Sequence, residues 1–60
     1  MDLQVNQVYR VICGQYHTLR IDQVAVFREK TQLGDLIFEG LSNNGVIVRQ
    51  ILKIEQVTND

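Results

Sequence analysis

Leu36-Ile37-Phe38-Glu39-Gly40-Leu41-Ser42-Asn43-Asn44-Gly45-Val46-Ile47-Val48-Arg49-Gln50-Ile51 is the stretch that decides the fold. Two apolar runs flank Asn44-Gly45, a pair that favours a type I′ hairpin because both of its central residues take φ > 0. Strands are expected over 36–41 and 46–51. A two-residue Asn44-Gly45 loop sets Asn43 opposite Val46, Leu41 opposite Val48 and Ile37 opposite Leu52, three pairs on one register.

Downstream, the tail from Val46 to Val57 reads two ways. Ile47, Ile51 and Ile54 have i, i+4, i+7 spacing with Val48 and Leu52 beside them, so a C-terminal helix over 46–57 in an α+β fold is the alternative. The density of β-branched residues and the turn just upstream favour a strand over 46–51, a brief turn near Leu52-Lys53 and a short last strand over 54–57.

Upstream, Gln32-Leu33-Gly34-Asp35 reads as a turn. Residues 16–22 alternate, with Leu19 and Ile21 toward a core and Tyr16, Thr18, Arg20 and Asp22 toward solvent. A single strand running on to Glu29 would be unusually long, so a bend or bulge is expected near Asp22-Gln23. Beyond it Val24/Val26 and Ala25/Phe27 are equally apolar, and which pair faces inward stays open. Residues 7–13 place Tyr9, Val11 and Cys13 on one face and Val8, Arg10 and Ile12 on the other, as in a strand that curls between sheets. Gly14-Gln15 then supplies a break.

Fourteen of the 60 residues are Val or Ile and none is proline, which with the turns above predicts an all-β chain of five or six short antiparallel strands. An open meander would expose two edges, whereas a small barrel removes most of that hazard. The strand spacing and the ending Arg49-Gln50-Ile51-Leu52-Lys53-Ile54-Glu55-Gln56-Val57 resemble a small SH3-like barrel. The resemblance covers most of the chain and concerns architecture alone. The glycine in a basic loop of KOW-type domains is missing, as are the Ala-Leu-Tyr-Asp-Tyr run and the tryptophan of signalling SH3 domains. No functional residue therefore carries across.

Residues 1–60 are expected to form one small domain, which buries only about 60 % of the surface its unfolded chain exposes. Domains of this size usually need a disulfide, a metal or a partner. Cys13 is the only cysteine and His17 the only histidine, too few for an internal disulfide or a four-ligand zinc shell. No cofactor is expected, and association is the remaining route. Six Lys and Arg against seven Asp and Glu leave a net charge of −1, without the basic excess of a general nucleic-acid binder. The N-terminus lacks a signal-peptide pattern and no window reaches the roughly 20 apolar residues of a membrane helix. With one free cysteine, a cytoplasmic location and no membrane association are expected.

Cys13 and His17 lack the orienting third group and the pocket that a nucleophilic pair requires. Asp22, Asp35 and Glu39 lack catalytic or metal spacing, and Asp22 and Asp35 suit turns. The arginines are more informative. Arg10, Arg20 and Arg49, with Tyr16 on the face of Arg20, form a candidate binding platform, since Arg recognises phosphate or carboxylate and Tyr can stack on a base. The competing reading pairs these arginines, and Arg28, with Asp22, Glu39 and Glu55. Val24, Val26 and Phe27, apolar on both faces of one strand, mark a candidate interface. The expected function is a non-enzymatic interaction module in a regulatory or accessory role, self-associating or docking on a protein partner. The alternative is nucleic-acid or nucleotide binding through the Arg/Tyr face.

Overall fold

The computed structural model describes residues 2–12 and 22–59. These form five strands: β1 (Val8–Val11), β2 (Val24–Lys30), β3 (Leu36–Leu41), β4 (Ile47–Leu52) and β5 (Val57–Thr58). All neighbours pair antiparallel, in the order β4-β3-β2-β1-β5. The chain is all-β and its sheet is open, with β4 and β5 at the two edges. The expected segment 13–21, with the Gly14-Gln15 break, Cys13, Tyr16, His17, Leu19, Arg20 and Ile21, lies outside the described residues.

The helix considered over 46–57 is overturned. Six residues of β4 pair in unbroken register with β3, from Leu41↔Ile47 to Leu36↔Leu52. Ile47 and Ile51 are four apart because both project from one face of a strand, where even separations coincide. The last strand is also displaced: Ile54–Gln56 form a 3₁₀ turn and β5 begins only at Val57. The Gln56 N–H donates to the Lys53 carbonyl (2.9 Å), and the Lys53 N–H donates back to Gln56 Oε1 (2.8 Å).

The hairpin forms where the sequence places it, but its register is one residue off. The loop holds three residues, 43–45, because the Ser42 N–H donates to the Val46 carbonyl (2.8 Å) and Gly45 alone takes positive φ, at 80°. Ser42 explains the difference. Its side chain is buried, and its Oγ accepts from the N–H groups of Asn44 (3.2 Å) and Val46 (3.3 Å), a hydroxyl clamp that holds the wider loop. Ser42→Ala removes both bonds and is expected to cost roughly 1–2 kcal/mol in urea unfolding. A loss within error would show that the clamp does not hold the register.

In β2, Ala25 and Phe27 face the core and Val24 and Val26 face outward. Phe27, grouped by sequence with Val24 and Val26 as interface, is therefore a core side chain. The expected bend is present: Asp22 sits at φ 65° and its N–H donates to the Val11 carbonyl. A bulge further on, between Phe27 and Glu29, completes the bending of the strand. The turn at 32–35 is also in place, with Gly34 at φ 90°, where a side chain would be strained.

Tyr9, Val11, Ala25, Phe27, Phe38, Leu52 and Val57 make up the core, so every strand, both edges included, contributes to it. Phe38 sits between Phe27 (ring centroids 5.3 Å apart) and Tyr9 (6.3 Å, interplanar 87°), within the favoured range for aromatic pairs. The Tyr9 hydroxyl emerges at the core's rim and accepts from the Gln4 N–H at 2.7 Å. One face of the sheet is thus turned to this core and the other outward.

Candidate interaction surface

The observed register defines that outer face. Val8 lies opposite Val26, Val26 opposite Glu39, and Glu39 opposite Arg49, a row that crosses β1 to β4. On one side of it Arg10 pairs with Val24 and Leu41 with Ile47; on the other, Ile37 pairs with Ile51 and Glu29. Ile47 is 67 % exposed, Val24 60 %, Val8 56 % and Ile51 53 %. Isolated exposed aliphatics are ordinary, but a contiguous set on one sheet face is the mark of a contact surface.

Charges sit inside this apolar field. Glu39 is shared between two guanidiniums, with Oε1 3.6 Å from Arg28 Nε and Oε2 3.4 Å from Arg49 Nε. Arg28 also donates from Nη1 to Asn6 Oδ1 (3.1 Å), and Arg10 pairs with Asp22 at 3.3 Å. Exposed pairs of this kind contribute about 0–1 kcal/mol each to stability, so their role lies more in fixing side-chain positions than in holding the fold.

Of the binding residues expected from sequence, Arg10 and Arg49 do share the outer face. They lie on strands three steps apart, about 14 Å at the usual spacing between strands, and each already contacts a carboxylate. Tyr16 and Arg20 lie outside the described residues. Val24 and Val26 are on the outer face, and Phe27 is beneath it. The pairs of Arg10 with Asp22 and of Arg28 and Arg49 with Glu39 are those of the competing reading; sequence reasoning missed Val8, Leu41, Ile47 and Ile51 as surface, and that two arginines share Glu39. The odd-numbered positions of β3 and β4 would have been placed outward together had a three-residue loop been assumed.

Two further features belong to this face. Ile37, Arg49, Gln50 and Ile51 line a shallow recess of about 380 Å³ beside the Arg49 side chain. β4 is also an edge strand. Since Ser42 and Val46 form a hydrogen-bonded pair, so do Gly40 and Val48, Phe38 and Gln50, and Leu36 and Leu52; the backbone N–H and C=O groups of Ile47, Arg49 and Ile51 therefore point away from β3. A larger open groove, about 800 Å³, runs between the N-terminal segment and the β2–β3 turn, past Leu3, Phe27, Lys30 and Leu36. Among the described residues no three His, Cys, Asp or Glu side chains are grouped to hold a metal ion, and no helix is long and apolar enough to cross a membrane.

No protein-family model, curated protein or solved structure matches the chain.

Proposed function

We propose that this protein is a non-enzymatic interaction module that docks a protein partner on the outer face of its sheet, in a regulatory or accessory role. The observation that carries the reading is the exposure of Val8, Val24, Ile47 and Ile51 on one contiguous face. Exposed aliphatic side chains on either side of a row containing Glu39 and Arg49 suit a protein interface, in which a few desolvated anchors supply most of the affinity. The strand order, the 3₁₀ turn ahead of β5 and the contribution of both edge strands to one core support an SH3-like arrangement of the sheet.

Nucleic-acid binding is the weaker reading. Arg10, Arg28 and Arg49 lie on different strands, each beside a carboxylate, and the net charge of −1 lacks the basic excess that a run of phosphates calls for.

The test is hydrogen exchange on the complex recovered from the native host. A bound protein partner is expected to slow amide exchange across Ile47–Ile51 and Val24–Val26. Protection confined to other strands would overturn the reading, and so would a complex with nucleic acid alone. Protection that rises with concentration in the isolated protein would identify a second copy as the partner, and the hetero-partner reading would fall.

A further inference from the structure

We propose that β4 accepts an extended acidic segment of its protein partner as an added strand, with a Glu or Asp of that segment opposite Arg49 and apolar residues two positions away on either side. The inference rests on the outer face being the docking surface, and it names the chemistry of the occupant.

Three observations converge on it. First, the outward backbone groups of β4 belong to Ile47, Arg49 and Ile51, whose side chains also lie on the outer face. A strand paired with them places alternate residues on that same face, one opposite each. The flanking positions then meet Ile47 and Ile51, both more than half exposed.

Second, the charge at the middle position calls for a carboxylate. Two guanidiniums, Arg28 and Arg49, share the single carboxylate of Glu39. Arg49 meets it through Nε alone, and its side chain is 56 % exposed. The Nη groups lie at the far end of this exposed side chain, and a guanidinium can grip a carboxylate through two parallel bonds. β4 contains no acid, Lys53 directly after it is a second cation, and Glu29 on the outer face lies two strands away, beyond Ile37 and Ile51.

Third, a second copy fits this edge poorly. Antiparallel pairing of β4 with itself, in the register that matches Ile47 with Ile51, sets Arg49 directly opposite Arg49, and like charges in that position are destabilising. An acidic strand in the same place completes an alternating row of acid, Arg49 and Glu39.

The probe is the capped heptapeptide Thr-Ile-Thr-Glu-Thr-Ile-Thr, titrated into the isotope-labelled protein and followed by amide chemical shifts. Shifts are expected to concentrate at Ile47–Ile51, with affinity about tenfold above that of the same peptide bearing Gln for Glu. Arg49→Gln should abolish that tenfold preference while lowering the melting temperature by at most a few degrees, since the ion pair it loses is exposed. Equal affinity for the Glu and Gln peptides, a preference that survives in Arg49→Gln, or shifts away from β4 would each overturn the proposal. So would concentration-dependent shifts at Ile47–Ile51 without peptide, which would give the edge to a second copy. Failure with the peptide while the native complex still protects the outer face removes strand addition and leaves docking standing. Protection elsewhere in the native complex removes both.

Discussion

Phe38→Ala is expected to leave the protein without a cooperative unfolding transition at 25 °C. Phe38 is the most completely buried large side chain, at 0 % exposure, and its ring touches both other aromatic members of the core. Truncating a buried phenylalanine costs about 3–5 kcal/mol, from lost transfer free energy together with the cavity left behind. Sixty residues at roughly 0.05–0.15 kcal/mol each provide about 3–9 kcal/mol in all, and small domains fall toward the lower end because they bury less of their surface. The loss therefore matches most of what the fold has. Phe38→Leu keeps most of the volume, giving up mainly the ring contacts to Tyr9 and Phe27, and should cost only about 1–2 kcal/mol. Urea titrations followed by circular dichroism separate the two. A Phe38→Ala protein that still unfolds cooperatively, within 1 kcal/mol of the parent, would mean that Phe38 is not the keystone of the core.

The strands were legible in the sequence wherever turn chemistry bounded them. β3 spans Leu36–Leu41 as the apolar run between Gly34-Asp35 and Ser42-Asn43 predicts, and the hairpin follows from Asn-Gly. The register was not legible, because it turns on one buried hydroxyl. Ser42 Oγ takes two N–H groups and widens the loop to three residues, and a shift of one residue changes which side chains lie opposite one another. The face of β2 was unreadable for a related reason. Val24/Val26 and Ala25/Phe27 are both apolar, and only the strands on either side decide which pair is covered.

That ambiguity itself is informative. One apolar face of the strand covers the core, and the outer pair, Val24 and Val26, lies on the same sheet face as Ile47 and Ile51, the face proposed for docking. Arg49 could be singled out from sequence because arginine within an apolar strand is conspicuous. Its sharing of Glu39 with Arg28 could not, because it depends on the β3–β4 register and on the bulge that follows Phe27.

Ile47→Asp separates folding from function. The side chain is the most exposed aliphatic of the outer face and leaves no cavity when replaced. The cost to stability should stay near the surface norm of about 0.5 kcal/mol, rising to about 1 kcal/mol from the poor strand propensity of aspartate. The effect on docking is far larger. An aliphatic anchor is lost and a carboxylate is placed in a contact that must shed water. The new acid also stands two residues from Arg49 on the same face, within reach of the guanidinium that the partner's carboxylate would use. Losing an anchor of this kind, with a buried charge put in its place, should cost about 2 kcal/mol, roughly a thirtyfold rise in Kd for the native partner. Gln32→Asp, which adds the same charge at an exposed turn position outside this face, should leave Kd unchanged and so isolates the effect of place from that of net charge. Isothermal titration of the three proteins against the partner decides the matter: equal affinities for Ile47→Asp and the parent would remove the outer face from the interface.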